Sequence, residues 1–235
     1  MNDVLILSGT AAVIALVHTL IGPDHYLPFI VMSKAWRWSL PKTTLITFLC
    51  GVGHILSSVA LGIIGVAVGI AVFKLQAIES FRGDVAAWLL IAFGFTYLVW
   101  GLHRAYRSKK HEHLHEHDDA PPHTHEHNHL FGHTHVHLKD APNMTPWVLF
   151  TIFVFGPCEP LIPLVMYPAA KHSAGGVVIV ACIFGAVTIA TMMTIVLLSY
   201  FGLSKLSTEK LGRYSHASAG LAILLCGLAI KFLPV

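Results

Sequence analysis

What this chain most lacks is charge. Lys and Arg total 15 and Asp and Glu 12 in 235 residues, so 11% is charged, against roughly 25% in soluble domains. The deficit is concentrated. No Asp, Glu, Lys or Arg occurs between Lys42 and Lys74, or between Lys171 and Lys205. A membrane-spanning helix needs about 20 apolar residues, so each stretch can cross and neither reads as a soluble core helix. The mean hydropathy of +0.69 agrees. No stripe of Lys and Arg with interleaved aromatics occurs, which excludes nucleic-acid binding, and a formal net charge of +3 says little about other partners. The cysteines Cys50, Cys158, Cys182 and Cys226 all lie in apolar segments. None forms a C-x-x-C pair, so no disulfide framework is implied. No G-x-x-x-x-G-K-[ST] is present, which leaves no site for ATP. Met1-Asn2-Asp3 is not a basic n-region, so the first apolar run reads as a retained helix.

The pattern that is present predicts an all-α polytopic membrane protein with six spans, near 4–33, 43–72, 85–106, 146–170, 175–203 and 214–233. Three loops then share one face and carry Lys34, Arg37 and Lys42; Arg104, Arg107, Lys109, Lys110 and Lys139; and Lys205, Lys210 and Arg213. Lys74, Arg82, Lys171 and Lys231 fall on the other. The positive-inside rule puts the richer face in the cytoplasm and both termini outside. The expected location is the cell inner membrane.

An internal repeat divides the chain. Gly22-Pro-Asp-His-Tyr-Leu-Pro-Phe-Ile-Val-Met-Ser-Lys-Ala35 matches Gly156-Pro-Cys-Glu-Pro-Leu-Ile-Pro-Leu-Val-Met-Tyr-Pro-Ala169 at a constant offset of 134, with six of fourteen positions identical. The same offset pairs Gly51 with Gly185 and His54 with Thr188. Three spans per copy is an odd number, so the halves enter the membrane from opposite sides, as two inverted three-helix repeats. The divisions are 1–106, a His-rich cytoplasmic loop at 107–145, and 146–235. Proline lacks an amide proton and clashes with the carbonyl four residues back. Gly22-Pro23 and Gly156-Pro157 should therefore each break a helix within the bilayer, and freed carbonyls there are tolerated only where they line a cavity.

Ionisable residues flank both breaks: Asp24 and His25 in the first half, Cys158 and Glu159 in the second, with His18 and His54 nearby. A charge at the bilayer centre costs about 2.5–3.5 kcal/mol on insertion scales, which favours a functional set over a structural one. Cys158 could equally be a small hydrophobe. Imidazole with carboxylate suits a divalent transition metal without choosing among them. The expected metal ligands are His18, Asp24, His25, His54, Cys158 and Glu159. The loop adds His111, His113, His115, His117, His123, His125, His127, His129, His133, His135 and His137. Such a tract reads as metal capture on a disordered segment. It twice spells H-E-x-x-H, but composition alone produces that in a proline-interrupted His repeat, so a protease is rejected.

His18…Gly22-Pro23-Asp24-His25, Phe155-Gly-Pro-Cys-Glu-Pro160 and the His-rich loop resemble nickel/cobalt transporters of the NicO/RcnA and UreH-like family, within the LysE-type transporter superfamily. Five residues separate His18 from Asp24, where nickel permeases typically have four. The resemblance implies a secondary transporter, not an enzyme, with no cofactor. It would move nickel or cobalt, or another divalent transition metal such as zinc, by alternating access. Two rivals stand beside it. A thiol-redox conductor of the CcdA/DsbD type shares the layout and Gly-Pro-Cys, but its chemistry needs two cysteines that meet, and the repeat mate of Cys158 is Asp24. A small-anion exporter would want Lys or Arg near the midplane. A metal sensor that does not transport is a third reading.

Overall fold

The computed structural model describes residues 2–107, 111–117, 120–127, 145–171, 173–204 and 212–233. In chain order these form α1 (Asn2–Ile21), a 3-10 turn (Pro23–His25), α2 (Leu27–Ala35), α3 (Leu40–Ala67) and α4 (Val72–Arg107). There follow β1 (His111–His117), β2 (Ala120–His127), α5 (Thr145–Phe155), α6 (Leu161–Ala170), α7 (Ala174–Ser204), a second 3-10 turn (Gly212–Tyr214) and α8 (Ser215–Phe232). Among the described residues, five helical stretches are long and apolar enough to cross a membrane: Asp3–Ile21, Leu40–Ala67, Val72–Arg107, Ala174–Gly202 and Gly212–Phe232. Large side chains such as Leu5, Leu56, Phe81 and Leu198 point outward, as lipid-facing residues do. The chain is an integral membrane protein, and the part that meets lipid is helical.

Two expected spans are interrupted. Gly22 closes α1 by donating its amide to His18 O at 3.0 Å. Pro23 has no amide to continue the ladder, so the backbone tightens: His25 N donates to Gly22 O and Tyr26 N to Pro23 O before α2 begins. In the second half α5 ends with Gly156 N donating to Ile152 O and Phe153 O, and α6 starts three residues past Cys158. At 11 residues, α5 rises only about 16 Å, so neither half of this broken span crosses alone.

The third span differs from expectation. It starts at Val72 rather than near residue 85, which places Arg82 within a helix rather than in a loop. The physical reason is pairing. Glu79 is fully buried and Arg82 partly so, and they form an ion pair one turn apart. Neutralised in this way, they lie inside the protein instead of ending the span.

The His-rich loop also departs from the expected disorder where it is described. β1 and β2 form an antiparallel hairpin, with His111 opposite His127, His113 opposite His125 and His115 opposite His123. A strict two-residue alternation of His is compatible with a strand. His129, His133, His135 and His137 lie outside the described residues, as do Lys109, Lys110, Lys139, Lys205 and Lys210.

Packing follows a regular pattern: α4 lies along α8, α1 along α7, α5 along α3, and α3 meets α7. The α4–α8 seam depends on small residues. A Cβ on Gly94 or Gly101 would strike the α8 backbone at Leu224 or Ala217, and one on Gly220 would strike Leu98 of α4. Close backbone approach of this kind is how helices pack when lipid supplies no hydrophobic drive. Hydroxyls are mostly satisfied within their own helices. Thr19, Thr47, Thr191 and Thr194 each donate to the carbonyl four residues back. Away from the spans, Lys171 donates to Asp3 at 2.8 Å, and that hydrogen bond and the carboxylate charge hold the ammonium above the usual lysine range.

Candidate functional site

The two helix breaks lie against one cavity of about 690 Å³ lined in part by His18, Asp24, His25, His54, Gly156, Pro157 and Glu159. His18 comes from the last turn of α1, Asp24 and His25 from the 3-10 turn, and His54 from the middle of α3. The ring centroids of His18 and His25 are 4.9 Å apart, and those of His25 and His54 5.1 Å apart, each pair nearly perpendicular. One ring nitrogen from each of the three lies within 4.8 Å of the others.

The local sequence explains this seating. A Cβ on Gly22 would lie 2.6 Å from His25 Nδ1 and 2.9 Å from Asp24 Oδ1. A Cβ on Gly156 would lie 3.1 Å from His54 Nδ1. The glycine of each Gly-Pro thus makes room for an imidazole, while the proline ends the helix. His25 Nδ1 faces Gly22 O at 3.1 Å and Asp24 Oδ1 at 3.2 Å, and His54 Nδ1 faces Phe153 O at 3.3 Å. All these partners are acceptors, so Nδ1 carries a proton in both rings, and in the neutral ring Nε2 presents its lone pair. Nε2 of His18, His25 and His54 is buried with no hydrogen-bond partner.

Of the residues expected at the site, the structure therefore brings His18, His25 and His54 together, with Asp24 attached through His25. Glu159 is exposed and lines the same cavity without joining the cluster. Cys158 is fully buried and packs on the other side of the break, with Ile55, Leu161 and Phe184.

The sequence reading missed Glu79 and Arg82. The break at 156–160 leaves backbone groups that no helix satisfies, and this ion pair binds them. Arg82 Nη2 donates to Val154 O at 2.8 Å and to Gly156 O at 3.4 Å, and also to Ser57 Oγ at 2.8 Å. Glu79 Oε2 accepts from Cys158 N at 3.0 Å and from Ser58 Oγ at 3.2 Å. The signal was present in Glu79-Ser-Phe-Arg82-Gly-Asp84, an acid and a base one turn apart at the edge of an apolar run. Gly83 belongs to the same wall, because a Cβ there would meet Pro157 at 2.8 Å. Beside it Asp84 pairs with Lys231 at 2.6 Å, and both line the cavity.

The family described as Cytochrome C biogenesis protein transmembrane region matches residues 27–229, which is most of the chain. The chain belongs to that family. The match overturns the assignment to NicO/RcnA and UreH-like nickel/cobalt transporters, and with it the reading of the protein as a metal permease. That assignment rested on two short motifs and a low-complexity loop, whereas the family match covers four of the six expected spans whole and parts of the other two. No curated protein and no solved structure matches the chain.

Proposed function

We propose that this protein is a membrane thiol-redox conductor, passing reducing equivalents between partner proteins on the two faces of the bilayer through Cys158. The match to the cytochrome c biogenesis family over residues 27–229 carries this reading. The placement of Cys158 supports it. The thiol sits in a proline-flanked segment between two short helices, its amide held by Glu79, so one ion pair keeps the segment closed. A sealed thiol is inert and an exposed thiolate is the nucleophile. Release of the 156–160 segment is the motion that would switch between them.

The exchange is intermolecular. The repeat mate of Cys158 is Asp24, Cys50 and Cys226 pack in a separate core cluster, and Cys182 is exposed on α7. Cys158 thiolate attacks a disulfide of a partner on one face. A mixed disulfide forms and one partner sulfur leaves as thiolate, taking a proton. A dithiol protein on the other face then attacks the Cys158 sulfur, releasing the first partner fully reduced. The second thiol of that protein closes its own disulfide and frees Cys158. One dithiol is oxidised, one disulfide is reduced, and two electrons cross.

In this reading the six spans form two oppositely oriented halves, with both termini outside and the His-rich loop in the cytoplasm. The packing favours it, since the pair α1–α7 has its counterpart in α5–α3, while α4–α8 and α3–α7 each map onto themselves. The test is transfer across a sealed membrane. A dithiol redox protein added outside proteoliposomes should reduce a disulfide protein trapped inside, at a rate proportional to the chain present. Cys158→Ser should abolish transfer, and Cys182→Ser should leave it intact. Equal transfer with Cys158→Ser, or none with the wild type, would overturn the proposal.

A further inference from the structure

We infer that His18, His25 and His54 form a binding site for one resident divalent first-row transition-metal ion, of the zinc or copper type. The site is defined by geometry and is independent of the thiol chemistry of Cys158. Three imidazoles from three segments converge, and their Nε2 atoms are all buried and unpartnered. Orphaned buried polar atoms are rare and call for an occupant. A cation accepts all three lone pairs at once, whereas a water molecule, with two O–H groups, serves two.

The arrangement behind the rings fits the same occupant. Metal-binding histidines donate their second ring N–H to a carbonyl or carboxylate, which fixes the tautomer and strengthens the ligand. His54 does so to Phe153 O, and His25 does so to Gly22 O and Asp24 Oδ1. Asp24 also brings a negative charge next to the ligand shell without entering it. An ion equidistant from three atoms no more than 4.8 Å apart lies within about 2.8 Å of each, so reaching bonds of roughly 2.0–2.1 Å needs inward ring movement of less than about 1 Å. Three neutral nitrogen ligands suit zinc, copper, iron or nickel and disfavour magnesium or calcium.

The full chain in detergent, loaded with Zn²⁺ and then washed briefly with a chelator, provides the test. The wash is chosen to strip ions held by the His-rich loop and to spare a buried one. The wild type should retain about one zinc per chain by elemental analysis, as a single cluster of three imidazoles predicts. His18→Ala and His54→Ala should each retain none, while Cys158→Ser and Glu159→Gln retain as much as the wild type. Among the described residues the His18 side chain makes no hydrogen bond, so His18→Ala removes a ligand with least disturbance of the fold. X-ray absorption on the retained wild-type zinc needs no variant and should show imidazole scattering without sulfur. No retained zinc in the wild type, retention undiminished in monodisperse His18→Ala, or a sulfur shell would each overturn the site. Because Cys158→Ser retains zinc in this scheme, failure here leaves the thiol relay standing, and the reverse also holds.

Discussion

Replacing Arg82 with Met leaves Glu79 fully buried without its counter-charge and strips donors from Val154 O, Gly156 O and Ser57 Oγ. Breaking one side of a buried ion pair costs about 3–5 kcal/mol, because the remaining charge is uncompensated. For a chain of this size each kcal/mol lowers the melting temperature by roughly 2–4 °C, so Arg82→Met should melt about 6–20 °C below the wild type. Arg82→Lys restores the charge but not the fork that reaches two carbonyls, and should fall in between. Glu79→Leu with Arg82→Met removes both charges and should recover much of the loss. It should not recover all of it, since Cys158 N and Val154 O remain unsatisfied at about 1–3 kcal/mol each. Thermal unfolding of the detergent-solubilised chain, followed by circular dichroism, reads all three variants against the wild type. A melting temperature for Arg82→Met within about 2 °C of the wild type, less than 1 kcal/mol, would refute the idea that this pair holds the broken span.

Other perturbations have equally direct outcomes. Gly94→Val or Gly220→Val forces a side chain into the facing backbone of the α4–α8 seam, and should cost at least the 1–3 kcal/mol or so typical of overpacking. Loss of monodispersity in size-exclusion chromatography would report it. Gly69 turns the chain between α3 and α4 at φ +71° with open space around it, so Gly69→Ala should destabilise by only about 1 kcal/mol. Gly156→Ala presses on the His54 ring at 3.1 Å, and should weaken zinc retention at least tenfold while leaving the helical content unchanged.

The membrane class and the two helix breaks were legible in the sequence because each follows from a local rule. Charge-free runs must sit in lipid, and a proline must interrupt the ladder. The gathering of His18, His25 and His54 was legible in part, since ionisable residues beside breaks are costly unless they converge. What could not be read was any feature decided by partners distant in the chain. Arg82 looks like a loop charge until its acceptors at Val154 and Gly156 are known. Gly156 looks like a helix breaker until His54 is seen against it. The family assignment failed for a related reason. Gly22-Pro-Asp-His and a run of loop histidines carry strong chemical suggestion but little fold information, which is spread thinly over the apolar residues from 27 to 229.

The account depends most on Cys158 being a working thiol rather than a packed one. The direct measurement is a trapping experiment in membranes, using a dithiol redox protein whose second cysteine is changed to serine so that the mixed disulfide cannot resolve. A covalent adduct that is reduced by dithiothreitol, maps by mass spectrometry to Cys158 and disappears in Cys158→Ser is the predicted result. No adduct, or one that forms at Cys182 and persists in Cys158→Ser, would contradict it.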